Sequence, residues 1–159
     1  MSTRSFIGIQ RPDGSIDGIY CHFDGYLIDG VGEMLLNHYQ DFKKVESLIQ
    51  LGSISYLEKE VAPEDGTVHS FEHPQDGVTV AYHRDRHEPH LDIVHVKNLQ
   101  QLQIIVDHSW YEYVYLFDQE SGIWQVNTSL EMDKKQMQNL EDAIKEQKIE
   151  EHSFWQRLN

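Results

Sequence analysis

The feature that most constrains this chain is a pair of extended segments that flank a strong turn signal. Residues 5–9 carry isoleucines at alternate positions, which is typical of a strand with one buried face. The residues Pro12-Asp13-Gly14-Ser15 have the composition of a tight turn. Residues 16–23 then fit a second strand, in which alternate side chains face opposite sides. The sequence therefore predicts a β-hairpin over residues 5–23, and a fold built on a sheet.

Two helices are predicted directly after the hairpin. Asp24-Gly25 indicates a turn, and Asp29 stands where its carboxylate would accept the free N–H groups of a first helix. Asp41 holds the same position before a second helix, which Gly52 ends. Both segments place apolar residues at helical spacing, so each helix should bury one face.

The remaining segments alternate between strand and helix patterns. We expect an irregular loop over residues 63–77 and a helix capped by Asn98. Strands are predicted over residues 78–83, 91–96, 111–117 and 123–126. From residue 129 onward a helical apolar stripe follows, formed by Met132, Met137, Leu140, Ala143 and Ile144.

These patterns predict an α+β fold. We expect a largely antiparallel sheet of about five strands with three to four helices in a single layer on one face. Residues 1–128 would form the core domain, and residues 129–159 a C-terminal helical extension packed on the core or on a partner chain. Phe154 and Trp155 lie in that extension and need apolar cover, so a homodimer through the C-terminal helix stays open.

The charge balance is strongly acidic, with 13 Lys and Arg against 27 Asp and Glu and a formal net charge of −14. Such a charge disfavours direct binding to nucleic acid or to an anionic membrane, and favours a protein partner with a basic surface. Acidity can also serve solubility alone, and both interpretations stay open. The single cysteine forms no internal disulfide. With no apolar run long enough for a signal peptide or a membrane span, we expect a cytoplasmic protein.

Motifs spread over residues 3–127 resemble a family of small bacteriophage and prophage proteins. They are TRSFIGIQRPDGSIDGIYCHFDGY, VGEMLLNHY, GVTVAYHRDR and YEYVYLFDQESGIWQV. The chain departs from the family where Phe23 replaces a tryptophan and Leu27-Ile28 replaces a proline-containing turn. The resemblance implies a phage-type accessory protein in the cytoplasm of a bacterial host, and it implies no reaction.

A candidate ligand site combines two of these motifs. If residues 78–86 form one strand, Tyr82, Arg84 and Arg86 share a face, where guanidinium groups can bind a phosphate or carboxylate and the ring can stack. Pairing of these arginines with acidic neighbours is the alternative interpretation. The predicted ligand-binding set joins this face to the YCHFDGY motif, and consists of Tyr20, His22, Asp24, Tyr26, Tyr82, Arg84 and Arg86.

Other chemistry is predicted to be absent. His83, His87, His90 and His95 lack the spacing of a known metal motif, so we predict no metal and no cofactor. Cys21 and His22 are adjacent and would face opposite sides of a strand, so a buried structural cysteine is favoured over a nucleophile. The predicted partner-binding residues are Asp29, Glu33, Phe154 and Trp155.

Three functions remain. The first is an acidic inhibitor that blocks a host defence or nucleic-acid-binding protein by presenting carboxylates where phosphates would bind. The second is a protein that sequesters a small anionic or nucleotide-like ligand. The third is a hydrolase that uses His22 and Asp24 as acid-base groups. The sequence favours binding over catalysis and places the inhibitor first.

Overall fold

The computed structural model describes residues 2–158 of the chain. It contains eight strands, five α-helices and one 3₁₀ helix. The strands are β1 (Ser5–Gln10), β2 (Ile16–Cys21), β3 (Ile54–Tyr56), β4 (Val80–Ala81), β5 (Val94–Val96), β6 (Tyr113–Asp118), β7 (Ile123–Asn127) and β8 (Gln138–Asn139). The helices are α1 (Val31–His38), α2 (Phe42–Ile49), α3 (Tyr82–Arg86), α4 (Leu99–Asp107) and α5 (Leu140–Leu158), and the 3₁₀ helix covers Lys134–Gln136.

The strands form one mixed sheet in the order β4-β3-β2-β1-β6-β7-β8, and β5 also pairs with β2. The predicted hairpin is confirmed, because β1 and β2 pair antiparallel from Ser5 opposite Cys21 to Gln10 opposite Ile16. Two pairings are parallel, β1 with β6 and β2 with β3. The α+β class is confirmed, but the expected count of about five strands is wrong. The additional strands β3 and β8 have three and two residues, too few to produce an alternating pattern.

Helices cover both faces of the sheet, which corrects the expected single layer. On one face, Ile7, Ile9 and Tyr115 pack with α1, α2 and the first turns of α5. On the opposite face, Phe6 and Leu116 pack with α4. The two faces arise because alternate residues of β1 and β6 point to opposite sides, and both sets are apolar.

The expected helix caps are confirmed at two positions and wrong at one. The Asp41 and Asn98 side chains accept from the backbone N–H groups of Lys44 and Gln101 at 3.2 and 2.9 Å. The N-cap of α1 is Gly30, whereas Asp29 precedes it with a φ of 55°. The backbone N–H of Asp29 donates instead to a carboxylate oxygen of Glu33 at 2.9 Å. The acidic side chain that serves this helix start is therefore that of Glu33.

Two predicted boundaries also change. The strand expected over residues 78–83 is reduced to Val80–Ala81, and the chain then turns into α3. The helix expected from Met132 begins only at Leu140, after the 3₁₀ helix and β8. Among residues 2–158, no helix combines the length and apolarity needed to cross a bilayer.

Candidate functional site

Most of the predicted site residues lie in three places, and the first is a cleft beside the end of β2. Tyr20, Tyr82 and Arg86 line this cleft together, which has a volume of about 350 Å³. Its other lining residues are Ser53, Glu88, Pro89, His90 and Asp92. Part of the predicted ligand-binding set is thus brought together, although it is separated by more than 60 residues of sequence.

The cleft exists because three backbone segments approach each other closely. The N–H of Ser53 donates to the carbonyl of Leu91 at 2.8 Å, and the N–H of Tyr82 donates to the carbonyl of Ser53 at 3.2 Å. Gly52 permits this approach, because its φ is +76° and a Cβ there would lie 2.1 Å from the Leu91 carbonyl oxygen. The predicted helix-ending glycine therefore also shapes the cleft.

Aromatic rings fix the Tyr82 wall of the cleft. The ring of Phe71 lies 5.7 Å from that of Tyr82, with 31° between the ring planes. The guanidinium carbon of Arg86 lies 5.0 Å from the centre of the Phe71 ring, within cation–π distance. Arg86 also approaches Glu88, with Nε 3.4 Å from the carboxylate. Phe71 lies in the irregular loop, and no sequence signal pointed to it.

Tyr20, another lining residue of the cleft, is the middle member of a hydrogen-bonded chain of three side chains, Arg4, Tyr20 and His22. Arg4 Nε donates to the Tyr20 hydroxyl oxygen at 3.0 Å, and this hydroxyl is hydrogen-bonded to Nδ1 of His22. Since the oxygen already accepts from Arg4, its own hydrogen is free to donate to Nδ1, which leaves the His22 proton on Nε2. Burial, and then the charge of Arg4, lower the pKa of His22. Both effects favour the neutral form of the His22 imidazole.

Arg4 is a residue that the sequence analysis missed, although a signal was present. In the predicted hairpin, Ser5 pairs with Cys21, so the preceding residue lies opposite His22. Extending the register by one position would have placed Arg4 beside the YCHFDGY motif.

Arg84 does not line the cleft, which corrects its expected place beside Tyr82 and Arg86. Its Nε donates to Oδ1 of Asp85 at 2.8 Å, and Nη1 donates to the Val61 carbonyl at 2.6 Å. Its Nη2 donates to the Thr79 carbonyl at 2.7 Å. The residues turn into a helix after Ala81, so alternate positions no longer share a face. Arg84 therefore holds the loop over residues 61–79 in place through these hydrogen bonds. Its pairing with Asp85 is the alternative interpretation given for these arginines from the sequence.

Asp85 and His69 complete this buried network. Asp85 Oδ2 accepts from the Ala81 N–H at 2.8 Å and lies 3.3 Å from His69 Nε2. His69 Nδ1 accepts from the Gln75 N–H at 2.9 Å, so the imidazole proton is on Nε2. Both side chains are almost fully buried. We therefore infer that this network stabilises the conformation of the loop over residues 61–79.

The second place is an acidic cavity of about 400 Å³ at the start of α1. Asp24, Asp29, Glu33 and Glu58 all line it. The hydrogen bond from the Asp29 N–H is the largest cause of the lowered pKa of Glu33, and Lys148 lowers it further. Asp24 thus lines a different cavity from Tyr20, and Tyr26 is exposed and lines neither of the two.

The third place is α5 and the groove beside it. The groove has a volume of about 710 Å³ and is lined by Glu112, Glu146, Glu150 and Glu151, together with six uncharged residues. Phe154 and Trp155 lie further along the helix, are 51% and 62% exposed, and contact each other edge to face with ring centres 5.6 Å apart. A contact of Lys148 Nζ with Glu33 at 3.1 Å joins α5 to α1.

Cys21 and the histidines are the other residues that the sequence offered for reactive or metal-binding chemistry. Cys21 is fully buried, and burial raises the pKa of its thiol to about 12. Within residues 2–158, no group of three or more His, Cys, Asp or Glu side chains is arranged to bind a metal ion.

Comparison of the chain with protein-family models, curated proteins and solved structures gave no match.

Proposed function

We propose that this protein acts by binding, as an acidic inhibitor that occupies the basic, nucleic-acid-binding surface of another protein. The observation that carries the proposal is one face of α5, the α5 stripe, which begins with buried apolar residues and, after the polar residues Gln147 and Glu151, ends with exposed apolar residues. The resemblance to phage proteins supports a host defence protein as the target.

The stripe is one continuous helix face with two different environments. Leu140, Ala143 and Ile144 are buried in the core at its start. Phe154, Trp155 and Leu158 recur on the same face at helical spacing, and they are exposed. Burying one such side chain contributes about 1.5–3 kcal/mol. The second half of the stripe therefore offers a binding surface of the kind in which an exposed helix face docks into a groove.

Charge identifies the complementary partner. Glu151 lies on the stripe between Ile144 and Phe154, and Gln147 Nε2 donates to its carboxylate at 3.3 Å. A partner that covers the stripe must place a cation beside Glu151, because an unpaired buried carboxylate is costly. The glutamates of the groove and the net charge of −14 extend the same requirement over a larger surface.

A second copy of this chain meets that requirement poorly. A copy carries the same net charge of −14 and the same glutamates beside its own stripe, so pairing of two copies brings like charges together. Like charges in a desolvated contact cost several kcal/mol. A protein that normally binds phosphates instead presents lysines and arginines, which carboxylates can engage in place of phosphate oxygens.

The test compares two exposed apolar residues on opposite faces of α5. Trp155→Ala removes an anchor of the stripe, whereas Ile149→Ala removes a residue that is 66% exposed on the other face. Each protein is immobilised and exposed to bacterial lysate proteins that were first retained on double-stranded DNA. The captured protein is then identified, purified and measured for affinity.

We expect wild type and Ile149→Ala to bind the same DNA-binding protein with equal affinity, and Trp155→Ala to bind it about 30-fold more weakly. Binding should weaken steeply as salt is raised, and should displace DNA from the partner. Equal binding by Trp155→Ala, a complex that still binds DNA normally, or a dimer of this chain that disappears in Trp155→Ala would each contradict the proposal.

A further inference from the structure

The cleft lined by Tyr20, Tyr82 and Arg86 is separate in its residues from the α5 stripe and the acidic groove. Its volume of about 350 Å³ is that of a site for one small molecule. The proposed inhibitor function does not use it. Its lining is unusual for this protein, because it combines aromatic rings with a cation in a chain that carries few cations.

The aromatic rings are fixed before any ligand arrives. Tyr20 lies 6.1 Å from the ring of Tyr111 and is held through its hydroxyl by Arg4 and His22. Tyr82 is held against Phe71 as described above. Rings that are already ordered lose little conformational entropy when a flat ligand stacks on them. The cleft therefore favours a planar ring system.

Arg86 differs from Arg84 in having donors free for a ligand. Arg84 donates from all three nitrogens to protein acceptors. Among residues 2–158, the only acidic side chain that contacts Arg86 is Glu88, at 3.4 Å, and both of those side chains are about half exposed. Such an exposed pair contributes little and is easily exchanged. The guanidinium, oriented by stacking on Phe71, can then bind an anionic group through two parallel hydrogen bonds.

The carboxylates in the cleft limit how much negative charge a ligand can carry. Glu88 and Asp92 both line it, and the whole chain is strongly acidic. A nucleic-acid strand or a triphosphate would be repelled strongly, whereas a single phosphate meets less repulsion and can be bound by Arg86. The same carboxylates can accept hydrogen bonds from sugar hydroxyls or ring amino groups.

We propose that this cleft binds a nucleotide with a single phosphate group, whose base stacks on Tyr20 and Tyr82 and whose phosphate is bound by Arg86. His90 adds an exposed donor at the same cleft. The site is independent of the α5 stripe, so Trp155→Ala should bind nucleotide as wild type does.

The test titrates the purified protein with AMP, GMP, CMP and UMP by isothermal calorimetry, and with adenosine and inorganic phosphate separately. We expect at least one nucleotide to bind more tightly than adenosine or phosphate, because the ring and the anion are recognised together. Arg86→Gln should weaken that binding about tenfold or more. Arg157→Gln, which changes an arginine outside the cleft, is the matched control and should bind as wild type does.

A second variant is expected to raise the affinity for nucleotide rather than lower it. Glu88→Gln removes the carboxylate that competes for Arg86 and should tighten nucleotide binding severalfold, whereas a purely structural role of Glu88 would not. The backbone contacts of Glu88 with His83 and Tyr82 do not involve its side chain. Absence of nucleotide binding at millimolar concentration, unchanged affinity in Arg86→Gln, or phosphate binding as tightly as the nucleotide would each overturn the proposal.

Discussion

Replacing Asp85 with asparagine tests whether the YHRDR motif fastens the loop over residues 61–79. The Asp85 side chain is 2% exposed and accepts hydrogen bonds from Arg84 at 2.8 Å and from the Ala81 N–H at 2.8 Å. His69 Nε2 lies 3.3 Å from the same carboxylate and 3.1 Å from the Thr79 carbonyl oxygen, so it keeps an acceptor in the variant. Asparagine keeps the shape of the side chain but replaces one accepting oxygen with an NH₂ group that faces these donors.

The expected cost follows from the donors that lose their acceptor. A buried donor left without a partner costs about 1–3 kcal/mol, and the loss of a fully buried ion pair costs about 3–5 kcal/mol. Arg84 is 28% exposed, so water can recover part of its loss. We therefore expect the free energy of unfolding to fall by about 3 kcal/mol, with Tm lower by roughly 6–12 °C.

Two assays separate this cost from a general surface effect. Urea unfolding gives the free energy of unfolding, and a Glu-specific protease reports on the loop, which contains Glu64 and Glu72. Asp65→Asn, which changes an exposed carboxylate of the same loop, should leave both readouts unchanged. If Asp85→Asn unfolds at the wild-type urea concentration and resists the protease equally, the network does not fasten the loop.

Two further predictions concern buried positions of the sheet. Burial raises the pKa of the Cys21 thiol to about 12, so the native protein at pH 8 should resist alkylation by iodoacetamide. Mass spectrometry should find one alkylated site only after unfolding. Equally fast labelling of the native protein would show that Cys21 is accessible. A Cβ at Gly18 would lie 2.1 Å from Cζ of Phe6, so Gly18→Ala should lower the free energy of unfolding by about 1–3 kcal/mol. Adding Phe6→Leu should recover part of that loss in urea unfolding, and no recovery would contradict a steric origin.

Features that depend on neighbouring residues could be predicted from the sequence. The hairpin, the caps at Asp41 and Asn98 and the burial of Cys21 follow from side-chain alternation, from short polar side chains before helices and from turn composition. These signals act within a few residues, so their outcome does not require knowledge of the rest of the fold.

The candidate sites were predicted only in part, because side chains that occupy equivalent positions in a local pattern contact different residues in the folded protein. Arg84 and Arg86 stand two positions apart in one motif, yet one fastens a loop and the other lines a cleft. The difference comes from Val61, Asp85 and Phe71, two of which belong to a segment that shows no periodicity. Asp24 and Tyr20 were expected in one site and line two cavities, because the turn after β2 carries Asp24 toward α1.

The sequence by itself determined the acidic charge, the α+β class, the hairpin and the presence of a helix near the C-terminus, because each is a property of composition or of local periodicity. Tertiary structure decided that β1 pairs in parallel with β6, about 100 residues away, and that helices cover both faces of the sheet. It also decided which apolar residues of the α5 stripe are covered, since Leu140 and Ile144 are buried whereas Phe154 and Trp155 are exposed. The physical reason is that burial depends on which distant segments meet, and no local pattern records that choice.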